Sequence, residues 1–218
     1  MNSEKINSME ESLTILNKMD KIDYPSLIKA LYGHEVKKIS PDNKKFISDL
    51  EKAAEIAKNS AFKKGIYRTR PNEVGNDMEN FVKEAMNSVG FKADTPKKRN
   101  GKKQSTGYPD FYCETKEGEP FYLEVKTYNL KNINTTQRSF YLSPPSSGHE
   151  KINYDAPHIM VSFEIEQFET NVNKNNENIY KPVSWKLLSL YNLKLNLKSE
   201  FNSSNREMYK DDLIISEK

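Results

Sequence analysis

Residues Phe121-Tyr122-Leu123-Glu124-Val125-Lys126 alternate between apolar and polar side chains. A period of two marks a β-strand with one buried face, so Leu123 and Val125 point one way and Glu124 and Lys126 the other. Just upstream, Phe111 and Cys113 alternate with Asp110, Tyr112 and Glu114. Between the two runs lies Thr115-Lys116-Glu117-Gly118-Glu119, a turn carrying glycine. The spacing predicts a hairpin, with residues 110–114 returning as residues 120–128. Its core face would hold Phe111, Cys113, Leu123 and Val125. Asp110, Glu124 and Lys126 would share the other face, flanked by Tyr122 and Tyr128.

Two carboxylates and an ammonium on one face make a divalent-metal site beside a proton-handling lysine, which is the chemistry of phosphodiester hydrolysis. Pro-Asp followed by an acid-x-Lys tripeptide is a cheap pattern in a chain with 30% charged residues. The weight lies in the context. Pro41-Asp42 has no such tripeptide on the stretch that follows it, and Glu114-Thr115-Lys116 begins on the strand of Asp110 itself. Only Asp110 with Glu124 and Lys126 combines two alternating strands, a turn and one shared face.

A helix is predicted over residues 76–89, with Met78, Phe81, Val82, Ala85, Met86 and Val89 on one stripe and Gly90 as its stop. Glu79 falls at the edge of that stripe, while Asp77, Asn80 and Glu84 fall on the solvated side. A carboxylate at the rim of a buried face can reach into a site. Glu73 lies ahead of the periodic stretch and is the second choice.

A helix with a glutamate, a basic loop, a strand with Pro109-Asp110, a turn, and a strand with Glu124-Val125-Lys126: this order resembles the PD-(D/E)xK nuclease superfamily. In a short chain it is most similar to the type II restriction endonucleases. The resemblance covers about residues 71–163. It implies an α/β (α+β) fold, a mixed central sheet flanked by helices, with the acids and lysine at the mouth of the sheet. It implies that Asp110 is the family aspartate, Glu124 the second acid, Lys126 the lysine and Glu79 the helical glutamate. Asp110, Glu124 and the main-chain carbonyl of Val125 would then hold Mg²⁺, with Mn²⁺ as its substitute. The activity implied is sequence-specific double-strand cleavage of DNA. The partners implied are double-stranded DNA, a second copy in a homodimer, and a cognate DNA methyltransferase. Two other readings stay open on the residues alone. One is a structure-specific nuclease of the same fold, such as a junction resolvase or repair enzyme. The other is a DNA-binding module without catalysis.

Lys97, Lys98, Arg99, Lys102 and Lys103 precede the Asp110 strand, with Asn100-Gly101 as a turn among them. They are expected at the mouth of the site, neutralising phosphates. Residues 127–147 are rich in Asn, Gln, Ser and Thr and include Arg138, side chains that match base edges and phosphates. Within them Gln137 and Arg138 are the expected contacts, and Phe140-Tyr141-Leu142 a short strand. Farther on, Asn202, Asn205 and Arg206 form a second polar segment expected to approach DNA or a neighbouring subunit. Residues 157–163 and 183–187 are predicted strands, and Leu193, Leu195 and Leu197 alternate in a third.

The first third is helical by pattern. Ile6, Met9, Leu13 and Leu16 form a loose stripe. Ser40-Pro41 is expected to start a better helix, with Ser as cap, Pro at its first position, and Phe46, Ile47, Leu50, Ala54 and Ala57 as its apolar face. Residues 1–66 are therefore read as an N-terminal helical region suited to dimerisation or to clasping DNA, and residues 67–218 as the nuclease core. A net charge of +3 makes association with DNA depend on where the charge lies. One cysteine, Cys113, excludes an internal disulfide and fits a reducing, cytoplasmic setting. No apolar run is long enough for a membrane span or a secretory signal. His34, His149 and His158 lack metal-ligand spacing and are read as structural or incidental.

Overall fold

The computed structural model describes residues 18–134 and 140–198 continuously, with residues 11, 12, 14–16, 203, 204, 206, 210, 213 and 214 near the chain ends. Asp23–Leu193 form one unit; Met1–Ile22 and Lys194–Lys218 form the other.

The larger unit is built on a six-stranded sheet. Its strands are β1 (Ile66–Arg68), β2 (Lys92–Asp94), β3 (Phe111–Glu114), β4 (Pro120–Tyr128), β5 (His158–Glu169) and β6 (Asn178–Ser189). They lie in the order β1-β6-β5-β4-β3-β2. β4 and β5 run parallel and every other pair is antiparallel, so the sheet is mixed. A parallel pair needs a long connection. Here it is residues 129–157, and part of that connection forms a wall of the site.

Three helices accompany the sheet: α1 (Tyr24–Tyr32), α2 (Lys44–Lys64) and α3 (Val74–Ser88). α2 turns directly into β1 at Gly65, where φ is +71° and a side chain would press on Ile179. That conformation favours glycine. One core joins the layers. Leu50, Ala54, Ala57 and Ala61 of α2 and Val74, Met78 and Val82 of α3 meet Phe111, Cys113, Leu123, Val125, Val161 and Phe163 of the sheet. The small alanines let α2 lie close on the helix and strands beneath it.

The predicted hairpin is present, with Phe111 opposite Leu123 and Cys113 opposite Phe121. Its core face is buried as expected: Phe111, Cys113, Leu123 and Val125 are each no more than 5% exposed. Other boundaries moved. α2 starts at Lys44 and not at Ser40-Pro41, because the Ser40 hydroxyl accepts the Asp42 N–H (3.2 Å) in a turn ahead of the helix. Its apolar face is spent on the shared core. α3 starts two residues earlier than predicted, and Asp77 is half-buried because Arg68 grips both its oxygens at 2.7 and 2.8 Å. β5 and β6 are each 12 residues long, well beyond the predicted runs, and pair as one long ribbon with register shifts near Ile165 and Gln167. Polar residues at its far end hid that length. Of the predicted leucine strand only Lys194–Leu195 is extended; Leu193 and Leu195 are half-buried and Leu197 is exposed. Among the described residues no helix is long and apolar enough to cross a membrane.

Candidate active site

β3 begins only at Phe111, so β4 beyond Leu123 has no strand neighbour on that edge. Asp110 fills the gap. Its Oδ2 accepts the Val125 N–H at 2.8 Å, and its own N–H donates to Glu124 Oε2 at 3.2 Å. Lys126 Nζ donates to Glu124 Oε1 at 2.5 Å. The N–H and C=O of one strand residue face the same edge. The Val125 carbonyl therefore faces the gap beside Asp110. Asp110, Glu124, Lys126 and this carbonyl are thus gathered where the hairpin opens.

Asp110, Glu124 and Lys126 line a cleft of about 640 Å³, joined by Glu79 of α3. Burial, and then the negative charge of Asp110, push the Glu79 carboxyl up to about 7, against the pull of Lys126 and Lys151. Glu73 does not line this cleft; its carboxylate takes the Thr69 hydroxyl at 3.2 Å. Glu124 is 3% exposed, and burial followed by Asp110 raises its pKa as well. Burial works against a charged Lys126, but Glu124 outweighs it and holds the ammonium charged. The acids crowd one another with too little positive charge between them. That is the electrostatic signature of a site that takes a cation.

Lys151 was not anticipated. It is 4% exposed, and its Nζ donates to the carbonyls of Pro109 (2.6 Å), Thr106 (3.3 Å) and Gly107. Burial lowers its pKa to about 8, opposed by Asp110, Glu124 and Glu79. Nothing in its neighbourhood in the sequence separates it from the other basic residues.

On the other side of the same run, the hydroxyls of Tyr24 and Tyr108 each lie 2.7 Å from His158 Nδ1 and 2.5 Å from each other. Burial holds His158 down to about 3, so the ring is neutral, and among the described residues its buried Nε2 meets no hydrogen-bond partner. His158 is structural, as expected. His34 meets Asp155 at 3.1 Å, whereas His149 lines the cleft.

The expected DNA contacts divide. Lys97, Lys98, Arg99, Lys102 and Lys103 form a small hairpin closed by Lys98 N–H to Lys102 O (2.9 Å) and Gly101 N–H to Lys98 O (2.8 Å). The cleft wall begins one residue later, at Gln104. Lys103 is already engaged by Asp94, which also takes Lys83 at 3.0 Å. Phe140-Tyr141-Leu142 is not a strand: Phe140 packs edge-on against Tyr24 and Tyr108, and Tyr141 with Ser143 to Ser146 lines the cleft. Gln137, Arg138, Asn202 and Asn205 lie outside the described residues, as do Ile6, Met9 and Leu13.

From residue 16 to residue 212 the sequence matches the family described as the Type II restriction enzyme MjaV family. The chain belongs to the type II restriction enzyme MjaV family. It is also 41% identical over 220 residues to the type II restriction enzyme MjaV of Methanocaldococcus jannaschii, covering 94% of this chain and 92% of that one. The MjaV match includes every residue of the cleft described above. Membership in the MjaV family settles the alternatives left open by the residues: this is a type II restriction enzyme, a site-specific deoxyribonuclease.

Proposed function

We propose that this enzyme cuts both strands of duplex DNA by Mg²⁺-dependent hydrolysis at the Asp110–Glu124–Lys126 cluster. The observation that carries the reading is the end of β3, where Asp110, Glu124 and the Val125 carbonyl face one gap with Lys126 beside them. The donors are all oxygens, as Mg²⁺ and Mn²⁺ require. Among the described residues no group of three or more His, Cys, Asp or Glu forms a closed metal cage. That suits Mg²⁺, which uses one or two carboxylates and leaves places for water and phosphate. Such an ion, when bound, lowers the pKa of a water and offsets charge on the phosphate.

The chain's own groups have distinct tasks in this reading. Asp110 and Glu124 hold the ion, and Asp110 is oriented by the Val125 N–H. A charged lysine offers donors and no acceptor. Lys126, held charged by Glu124, therefore orients the attacking water and stabilises the negative charge on the phosphate oxygens. Glu79, with its raised pKa, receives or positions a proton at the rim of the cleft. Water adds to phosphorus and one P–O ester bond breaks.

Cutting a palindrome on both strands calls for two such sites, so the working form is proposed to be a homodimer. A cell carrying the activity must protect its own sites, which makes a cognate DNA methyltransferase the natural partner. Cys113 is buried and is the sole cysteine of the sequence, which suits a reducing compartment such as the cytoplasm. Plasmid and phage DNA incubated with the enzyme and Mg²⁺ should give discrete bands. Asp110→Ala and Lys126→Ala should give none. Equal banding from all three proteins would end this assignment of the active site.

A further inference from the structure

Lys151 is buried at the inner wall of the cleft, and its surroundings are unusual for a buried ammonium. Buried charges are ordinarily paired with an opposite charge. Among the described residues Lys151 has no carboxylate within ion-pair distance; its donors go to the carbonyls of Thr106, Gly107 and Pro109. An ammonium carries three donors. Each one is matched by a carbonyl, and all three carbonyls belong to the run that ends in Asp110.

The lysine is itself firmly anchored. The Tyr122 hydroxyl accepts the N–H groups of Asn153 (2.7 Å) and Tyr154 (3.2 Å), two and three residues after Lys151. Tyr122 stands on β4, two residues before Glu124. The strand that carries Glu124 and Lys126 thus fixes the segment that carries Lys151, and Lys151 fixes the run that carries Asp110. Asp110 then bonds back to that strand through both its N–H and its carboxylate.

We infer that Lys151 is a positioning residue of the active site: by clamping the carbonyls of Thr106, Gly107 and Pro109 it sets the Asp110 carboxylate against Glu124 and the Val125 carbonyl. This rests on the reading of Asp110 and Glu124 as the metal-holding acids. The charge of Lys151 is felt across the cleft by Glu79, and the three acids in turn favour the charged lysine.

The test uses the full chain with Lys151→Met, which removes every donor, and Lys151→Gln, which keeps part of them. Thermal midpoints establish folding. Duplex affinity is read in Ca²⁺, Mn²⁺ binding to the free enzyme by paramagnetic resonance, and single-turnover cleavage across a Mg²⁺ titration. Lys151→Met should bind duplex within about threefold of wild type yet bind Mn²⁺ about tenfold more weakly. Its cleavage rate should fall about 100-fold, the scale of an ångström-sized misplacement, with Lys151→Gln between the two. A lysine that only stabilises the fold would lower the thermal midpoint and leave metal affinity unchanged; that result overturns the inference. Asp110→Asn and Lys126→Met run alongside. If they still cleave, the site assignment itself has failed. If they are dead while the Lys151 variants bind metal and cut normally, only the clamp has failed. Should neither Lys151 variant fold, the wild-type protein decides. A slowly exchanging Lys151 ammonium resonance in ¹⁵N-resolved spectra supports the clamp, and a rapidly exchanging one removes it.

Discussion

The run from Thr106 to Asp110 has two flanks of opposite character. One opens on the cleft and gathers Asp110, Glu124, Glu79, Lys126 and Lys151. The other is closed by packing and holds Tyr24, Tyr108 and His158 in mutual hydrogen bonds, with Tyr108 also bordering the cleft. The same loss of solvent acts on both, with different results. On the closed flank it drives His158 neutral. On the open flank it raises Glu79 and Glu124, and Asp110 adds to the rise, while Lys126 pulls both back and Lys151 pulls back Glu79. A closed polar cluster can satisfy itself. The open one holds more acids than lysines, a setting that favours a cation. Charge has been placed where a ligand can arrive, and neutral polarity where the run meets the core.

Removing a charge from the open flank should have the largest effect. Lys126→Ala or Asp110→Asn should lower single-turnover cleavage at least about 10³-fold, with duplex affinity in Ca²⁺ and the thermal midpoint little changed. If Tyr108→Phe lowered cleavage as much at unchanged stability, the two flanks would not differ in kind.

The closed flank should show itself in acid. His158 titrates near 3 in the folded chain, below its ordinary 6.5. A depressed pKa lends stability above about pH 6.5, and that stability is lost as the pH falls towards 3. The slope can reach about 1.4 kcal/mol per pH unit, or a few kcal/mol in all. Denaturant titrations of wild type and His158→Gln at pH 7 and pH 4 measure it. The variant should lose distinctly less stability between the two pH values. Equal losses would mean that His158 is not held neutral.

How much of this was legible beforehand follows from the range of the forces involved. The hairpin was legible because alternation is local: Leu123 and Val125 against Glu124 and Lys126 fix a strand and its faces without reference to the rest of the chain. Glu79 was legible for the same reason, from its angle on a helix with a clear apolar stripe. Lys151 and the Tyr24–Tyr108–His158 cluster were not. Tyr24 and His158 are 134 residues apart, and Lys151 meets its carbonyls across more than 40 residues. Their meaning depends on pairing that no local pattern encodes. The basic hairpin is a mixed case. Its charge was plain, but Asp94, on the edge strand β2, had already claimed Lys103.

Tyr108→Phe tests the closed flank without moving charge. It deletes one hydroxyl from a triangle and leaves its partners underbonded, which costs about 1–3 kcal/mol. In a chain of this size each kcal/mol lowers the thermal midpoint by about 2–4 °C. Cleavage measured well below that midpoint should stay within about tenfold of wild type, because Asp110 is still held on its other side by Lys151. A larger loss would make the closed flank part of the catalytic geometry and blur the distinction between the two.

The smallest effect belongs to Glu79, and its sign is the informative part. Its carboxyl titrates near 7 in the folded chain, against an ordinary 4.5, because it is half-buried and faces Asp110. A raised pKa contributes stability that is complete below about 4.5 and lost as the pH rises through about 7. Metal-free wild type should therefore be strained at pH 8, and Glu79→Gln should relieve it. Part of the group is wet, so the gain is discounted to about 1 kcal/mol, or about 2–4 °C in thermal midpoint. At pH 4, where the carboxyl is already protonated, the variant should gain nothing. Adding Mg²⁺ at pH 8 should stabilise wild type more than the variant, since the ion supplies the positive charge that the open flank lacks. An offset that is the same at both pH values would show that the acids of the cleft are not crowded, and the contrast between the flanks would then rest on geometry alone.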